Sequence, residues 1–137
     1  MGNESRSGAN EQRIRDLFSV FMGGDVEGAA RFFADDAVFS YEGPGPIHGE
    51  WRGRTGIKAF WEAQSRGSAG GLRPDLVDLV ASDRNAFLLV RFPRADSADY
   101  WHRVVVYEFH EDLIVNARVF ESDPDAAVAY FSQGNIN

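Results

Sequence analysis

The last predicted β-hairpin of the chain brings together two side chains whose chemistry suits proton transfer. Its turn is Glu111-Asp112, so residue 110 pairs with residue 113 in a two-residue loop. Counting back along both strands then places His102 directly opposite Glu121. Side chains that face each other in this way have Cβ atoms about 4.5–5.5 Å apart, so the imidazole and the carboxylate are expected to touch.

A histidine next to a carboxylate is a suitable general acid–base pair. Histidine changes charge nearest to neutral pH, and the carboxylate fixes which ring nitrogen carries the proton. We therefore predict that His102 and Glu121 are catalytic. The alternative is a purely structural pair, since a cross-strand His–Glu contact also satisfies two polar groups at the end of a sheet.

Other residue types that carry chemistry are absent or badly spaced. The chain has no cysteine, which excludes disulfides, thiol nucleophiles and cysteine-based metal sites. Its three histidines lack carboxylates at ligand spacing, so no metal is predicted. In Gly43-Pro44-Gly45-Pro46 the prolines remove N–H groups that a phosphate-binding loop needs. The sequence therefore predicts no cofactor.

Charge and hydropathy limit the partners. The formal net charge is −7, which repels nucleic acid and anionic membrane surfaces. No stretch is apolar and long enough to span a bilayer, and Met1–Asn10 is polar without the apolar core of a signal peptide. We expect a cytoplasmic protein with a flexible tail at residues 1–10 and a single domain at residues 11–137.

The first half of the chain has helical spacing. Apolar residues recur every three or four positions from Glu11 onward, which predicts a first helix that ends at Gly23-Gly24. Asp25 and Thr55 are candidate N-caps for a second and a third helix. A fourth helix is predicted after Asp123-Pro124. The apolar residues of these helices are Ile14, Leu17, Phe18 and Phe21, then Val26, Ala29, Ala30 and Phe33, then Ile57, Phe60 and Trp61, then Ala127, Val128 and Phe131.

The second half of the chain is dominated by strands. An early strand is predicted at Ala37–Tyr41, and a run of four follows at Leu76–Ala81, Phe87–Phe92, Tyr100–Phe109 and Ile114–Glu121. Helices followed by successive strands indicate an α+β fold with a mostly antiparallel sheet and helices packed on one face.

The order of these parts resembles a known family. The segments that carry the likeness are Phe33–Val38, Trp51–Arg54, Gly56–Glu62, Val104–Phe109 and Ile114–Phe120. Over Glu11–Phe131 the chain resembles the SnoaL-like branch of the nuclear-transport-factor-2-like superfamily. The resemblance implies a cone-shaped, curved sheet wrapped by helices around one pocket, with frequent dimers. Relatives range from isomerases, polyketide cyclases and epoxide hydrolases to binding modules, so the fold alone does not set the chemistry.

Two family mechanisms do not match this chain. Tyr41 stands where ketosteroid isomerase has its general-base aspartate, and Leu17 stands nearest to its oxyanion tyrosine. Arg91 matches the arginine of limonene epoxide hydrolase, but Pro93 and Val119 occupy the positions of its two aspartates. Neither mechanism is therefore expected in its familiar form.

The resemblance also implies which residues line the pocket. Comparison with epoxide hydrolase places Ala117, Val119 and Glu121 on the pocket face, and hairpin pairing adds His102, Val104 and Val106. Tyr41 would orient a substrate oxygen, with core packing as its alternative. We further assign ligand contacts to Arg91, Trp61 and Phe18. The alternatives are an ion pair with a buried Asp or Glu for Arg91 and core packing for Trp61. The opposite face is the expected homodimer interface, because it combines aromatic residues with arginine: Trp101, Arg103, Val105, Tyr107, Phe109, Arg118 and Phe120.

The sequence thus favours a cofactor-independent enzyme that isomerises, cyclises or opens an epoxide in an apolar oxygenated metabolite. The alternative is a non-catalytic module of the same fold that binds a small ligand or a protein partner.

Overall fold

The computed structural model describes residues 3–68, 72–94 and 97–135, which fold into helices packed on one side of a six-stranded sheet. In chain order the elements are α1 (Asn3–Met22), α2 (Val26–Ala30), β1 (Phe33–Tyr41), β2 (Gly49–Arg52), α3 (Gly53–Gly67), β3 (Asp75–Ala81), β4 (Asn85–Pro93), β5 (Tyr100–His110), β6 (Leu113–Glu121), α4 (Pro124–Ser132) and a short 3₁₀ turn (Gln133–Asn135).

The sheet has the strand order β2-β1-β6-β5-β4-β3. Neighbouring strands run antiparallel except β1 and β6, which are parallel. The sheet is curved and does not close on itself, so the predicted α+β class with a mostly antiparallel sheet is confirmed. Because β1 and β6 run in the same direction, their last residues lie side by side, and this brings Tyr41 near the end of β6.

Helix α1 begins earlier than the apolar pattern predicts. It takes in residues 3–10, which the sequence analysis assigned to a tail. Asn10 is fully buried, and its amide donates to the backbone oxygens of Ser82 and Asp83 at 3.1 and 3.2 Å. These hydrogen bonds anchor the helix to the turn between β3 and β4. A polar anchor of this kind leaves no trace in hydrophobic periodicity.

Of the two predicted helix caps, Asp25 is confirmed and Thr55 is not, while Asp123, before the predicted fourth helix, is a further cap. Asp25 accepts the N–H of Gly28 at 2.8 Å, and Asp123 accepts the N–H of Ala126 at 3.1 Å. Helix α3 instead begins at Gly53, directly after β2, so Thr55 lies inside its first turn. Gly53 has a φ of 72°, a left-handed conformation that suits glycine and allows the abrupt change from strand to helix.

The register of the β5–β6 hairpin differs from the prediction. His110 pairs with Leu113 and Phe109 with Ile114, as the two-residue turn requires. A bulge follows, in which Val115 is an extra residue on β6, and every later pair is offset by one. Arg103 is therefore opposite Glu121, and the predicted pairing of His102 with Glu121 is wrong.

The bulge also exchanges the two faces of β5, because a shift of one residue moves every side chain to the other side of a strand. His102 is exposed, and Val104 and Val106 are half-buried on the outer face, so their predicted position on the pocket face is wrong. Most residues predicted for a dimer interface are instead buried beneath the helices: Trp101, Arg103, Val105, Tyr107 and Phe109. Arg118 and Phe120 remain exposed.

Candidate functional site

A cavity of about 60 Å³ lies between the inner face of the sheet and helices α1 and α3. Its walls are mostly apolar and aromatic, and they include Leu17, Phe18, Phe39, Phe60, Trp61 and Tyr107. Two polar side chains also line it, Arg103 from β5 and Gln64 from α3. A small apolar cavity with a few converging polar groups is the usual form of a site for an organic ligand.

Arg103 and Glu121 form a buried ion pair beside this cavity. Nε of Arg103 donates to Oε1 of Glu121 at 3.0 Å, and Nη2 donates to Oε2 at 2.8 Å. Their side chains are only 6% and 3% exposed. Two parallel hydrogen bonds between a guanidinium and a carboxylate fix the orientation of both groups.

Tyr41 and Gln64 extend the ion pair at its two ends. The Tyr41 hydroxyl donates to Oε2 of Glu121 at 2.5 Å, and Nη1 of Arg103 donates to Oε1 of Gln64 at 2.6 Å. The Glu121 carboxylate thus accepts three hydrogen bonds. β1, β6 and β5 are adjacent strands, and Tyr41 is opposite Val119, two residues before Glu121. The sheet itself therefore places Tyr41 beside the Arg103–Glu121 pair on its inner face.

Aromatic rings enclose the guanidinium of Arg103. Its central carbon lies 4.9 Å from the ring centre of Phe131, 5.0 Å from Phe92, 5.6 Å from Tyr41 and 5.9 Å from Trp101. The negative faces of such rings attract a cation, most strongly where water is excluded. The rings and Glu121 together offset part of the cost of removing Arg103 from water.

Two tyrosines near the site remain neutral. Burial raises the pKa of Tyr41, the Glu121 carboxylate raises it further, and Arg103 opposes both effects. Burial also raises the pKa of Tyr107, against an opposing effect of Arg103. Tyr41 therefore keeps the proton that it donates to Glu121. The Tyr107 hydroxyl has no hydrogen-bond partner among the described residues, so its proton is available to a ligand.

Comparison with known proteins assigns the chain to a family. Residues 14–117 match the model of the SnoaL-like domain. The chain belongs to this family. Among curated proteins, none matches the sequence significantly.

Solved structures support the fold of this SnoaL-like domain. Bal32a, from a soil-derived mobile gene cassette, is 22% identical, and the alignment covers 92% of this chain and 98% of that one with a TM-score of 0.79. A nuclear-transport-factor-2-like protein of unknown function from Burkholderia pseudomallei is 17% identical, with coverages of 90% and 98% and a TM-score of 0.76. TerC, co-crystallised with polyporic acid, is 16% identical, with coverages of 90% and 98% and a TM-score of 0.73. At these identities the likeness concerns the fold alone.

The structure brings some of the predicted site residues together. Tyr41 and Glu121 are in direct contact, and Phe18 and Trp61 line the cavity. Ala117 and Val119 are buried on the inner face of β6, but neither belongs to the cavity wall.

Other predicted site residues lie elsewhere. The backbone N–H of His102 donates to the Ser122 hydroxyl at 2.9 Å, while its side chain points away from the cavity on the exposed face. Arg91 is half-exposed, where it pairs with Asp75 at 3.3 Å and lies 4.0 Å from the ring centre of Tyr100. The predicted ligand contact of Arg91 is therefore not made within this cavity.

Two site residues were missed by sequence reasoning. Arg103 was assigned to the outer face, because the bulge at Val115 could not be seen in the sequence. Gln64 did carry a signal, since it continues the helical spacing of Ile57, Phe60 and Trp61 on the buried face of α3. A polar residue in an apolar stripe indicates a buried hydrogen-bond partner.

The described ranges contain neither a cluster of metal-ligating side chains nor a helix suited to spanning a membrane. Among these residues, no group of three or more His, Asp or Glu side chains is placed to hold a metal ion. The helices in the same ranges are all too short or too polar to cross a membrane.

Proposed function

We propose that this SnoaL-like domain binds a small, mostly apolar organic molecule and holds one of its oxygen atoms with Arg103 and Gln64. The observation that carries the proposal is the buried Arg103–Glu121 pair beside an otherwise apolar cavity. Apolar side chains of similar volume are often as stable as a buried ion pair, or more stable. The position of this pair at a cavity wall therefore favours a role in binding.

The hydrogen bonds of Arg103 leave donors for a ligand. A guanidinium has five N–H groups, and three of the donors point to Glu121 and Gln64 within the described part of the chain. The ion pair has no net charge, so an anion placed beside it would lack a counter-charge in an apolar cavity. The cavity therefore favours a neutral acceptor, such as a carbonyl, hydroxyl or epoxide oxygen. The co-crystal of TerC with polyporic acid supports a role in small-molecule binding.

The same geometry supports catalysis as a second candidate function. A fixed cation with donors aimed at a carbonyl oxygen stabilises the negative charge that develops there during isomerisation or cyclisation, without a cofactor. The neutral Tyr107 hydroxyl would be a second donor to that oxygen. In this proposal Glu121 and Tyr41 position Arg103, because three hydrogen bonds occupy the carboxylate. A proton removed during the reaction would then be accepted by another group of the ligand or by water.

A pair of isosteric ligands tests the role of Arg103 in binding. Acetophenone carries a carbonyl oxygen where α-methylstyrene has a methylene group. The difference between their binding affinities therefore measures the contribution of the oxygen contact. A hydrogen bond to a charged group is worth about 1.5–3 kcal/mol, so we expect acetophenone to bind at least about ten-fold more tightly in titrations followed by NMR. Gln64→Leu should reduce this preference, and Arg103→Met combined with Glu121→Leu should abolish it.

Arg91→Met is the matched control, since Arg91 is also paired with a carboxylate on this sheet but lies outside the cavity. It should keep the full preference for acetophenone. Equal binding of the two ligands by the unmodified protein, or an unchanged preference in the Arg103→Met/Glu121→Leu protein, would show that Arg103 does not bind the ligand oxygen.

We also propose that the domain forms a homodimer through the outer face of the sheet. Cross-strand pairing produces two adjacent rows there, Val80-Phe87-Val106-Arg118 and Asp78-Leu89-Val104-Phe120. Phe87 and Phe120 are 42% and 51% exposed. Arg118 and Glu108 form no ion pair within the described ranges, and Oδ1 of Asn116 is buried there without a partner. A two-fold interface brings the same patch against itself, so these charges of opposite sign can meet between copies.

The dimer proposal is tested by sedimentation equilibrium. We expect a dimer at tens of micromolar, a monomer for Phe120→Lys, and an unchanged dimer for Met22→Lys, which places the same charge on an exposed residue of α1. A monomeric unmodified protein would refute the interface.

A further inference from the structure

The cavity is too small to hold a whole metabolite. Its volume of about 60 Å³ is well below the roughly 300–1,000 Å³ of most small-molecule pockets. An open groove of about 510 Å³ adjoins it between the end of α1 and α3. Cavity and groove share three side chains, Phe21, Trp61 and Leu72, which therefore form the wall between them.

Of the three side chains in this wall, Trp61 is held in place, whereas Phe21 and Leu72 are freer to move. Trp61 is only 7% exposed and has aromatic rings on two sides, with ring centres 5.2 Å from Phe21 and 5.7 Å from Phe33. Phe21 and Leu72 are half-buried, so each can turn toward the groove without leaving a void in the centre of the core. A ligand that displaces these two side chains would occupy cavity and groove together.

The charges of the groove indicate what its outer part accepts. The groove is lined by Arg66, Arg73 and Glu62, which makes it locally positive on a chain whose net charge is −7. Arg66 and Glu62 are 3.8 Å apart, and their side chains are 70% and 61% exposed. Exposed ion pairs of this kind are weak, so Arg66 can exchange Glu62 for an anionic group of a ligand.

We propose that groove and cavity form one site for an elongated carboxylic acid, whose carboxylate lies at Arg66 and whose apolar body passes between Phe21 and Leu72. This inference rests on the proposed function, in which the neutral oxygen at the other end of the ligand reaches Arg103. The reverse orientation would bury the carboxylate beside an ion pair that already has no net charge. In the groove the carboxylate keeps its contact with water.

Four probes separate the two ends of this site in calorimetric titrations of the full chain at low salt. They are 9-oxodecanoate, its methyl ester, decanoate and methyl decanoate. The ester removes the negative charge, and decanoate lacks the keto oxygen. We expect each acid to bind about two- to five-fold more tightly than its ester, as an exposed charge pair allows. Each keto compound should also bind more tightly than its counterpart without the keto oxygen, a difference that we call the keto preference. Arg66→Gln should abolish the charge preference and leave the keto preference unchanged.

Arg52→Gln is the matched control, because Arg52 is a similarly exposed arginine that contacts a nearby glutamate, Glu50, outside the groove. It should retain the charge preference. If acids and esters bind equally, or if Arg66→Gln leaves the charge preference intact, the groove does not hold a carboxylate. If the charge preference depends on Arg66 but no keto preference exists, the groove site stands and the proposed role of Arg103 fails.

Discussion

Two arginine–carboxylate pairs cross neighbouring strands of the same sheet, and they differ mainly in burial. Arg103 and Glu121 are directly opposed on β5 and β6, as Asp75 and Arg91 are on β3 and β4. The first pair is 6% and 3% exposed, whereas the side chains of Arg91 and Asp75 are 42% and 59% exposed. The first pair has two hydrogen bonds and an aromatic enclosure, and the second has a single contact of 3.3 Å.

The comparison shows that position, and not residue type, decides what such a pair does. Water surrounds Arg91 and Asp75, so their attraction is screened and little is lost when it is broken. Water is excluded from Arg103 and Glu121, so each charge depends on the other, and the guanidinium is held rigidly toward the cavity. Of the two pairs, only the buried one lies at the cavity wall, where the proposed function needs it.

The largest expected effect comes from breaking the buried pair. Arg103→Met leaves the Glu121 carboxylate buried without its cation, so the free energy of unfolding should fall by about 3–5 kcal/mol. Arg91→Met should change it by less than about 1 kcal/mol. Urea denaturation measures both, and Arg103→Met/Glu121→Leu should recover most of the loss. Equal losses for the two single variants would remove the distinction between the pairs.

The next largest effect concerns the hydroxyl that completes the buried pair. Tyr41→Phe removes the hydrogen bond to Glu121, a charged acceptor, and should cost about 1.5–3 kcal/mol in urea denaturation. Tyr107→Phe is the control, because the described residues offer its hydroxyl no acceptor, and we expect a change within about 0.5 kcal/mol. A larger loss for Tyr107→Phe than for Tyr41→Phe would place the important hydroxyl on β5.

A smaller effect is expected from alkaline pH. The folded state raises the pKa of Tyr41 and Tyr107 above their ordinary value of about 10, chiefly through burial. Above that value the unfolded tyrosines lose protons that the folded ones keep, so the contribution of these two residues to stability is constant below pH 10 and falls above it. The urea midpoint should therefore decline from pH 10 to 11, and less steeply in the Tyr41→Phe/Tyr107→Phe protein. An equal slope in both proteins would contradict the raised pKa values.

The smallest effect is expected from substitution of His102, which was predicted to lie in the pocket from the two-residue hairpin turn. His102 is exposed on the outer face, so His102→Ala should leave unfolding free energy within about 0.5 kcal/mol and the preference for acetophenone unchanged. Denaturation and ligand titration check the two expectations. If His102→Ala lost the preference for acetophenone, this result would support the predicted role of His102 in the site and contradict its position on the outer face.

Local patterns were sufficient for much of the fold. The helical spacing of Ile14, Leu17 and Phe18, the cap Asp25, the helix start at Asp123-Pro124 and the turn at Glu111-Asp112 involve residues close in sequence. Their energies depend little on the rest of the chain, and the structure confirms each of them. The order of helices and strands, and with it the α+β class, follows from such short-range patterns.

The site depended on contacts between distant residues. Whether His102 or its neighbour Arg103 meets Glu121 is decided by one extra residue at Val115, and nothing in the alternation of β5 or β6 marks it. Tyr41 reaches Glu121 only because β1 pairs with β6, and Gln64 reaches Arg103 only because α3 packs over β5. The amino-acid sequence by itself determined the fold class and most of the helices, strands and turns, since these rest on local conformational preferences and capping. It did not predict β2 or the first turns of α1. Tertiary structure alone decided which residue of β5 meets Glu121, because the bulge that offsets the hairpin by one residue is stabilised by packing across the whole sheet.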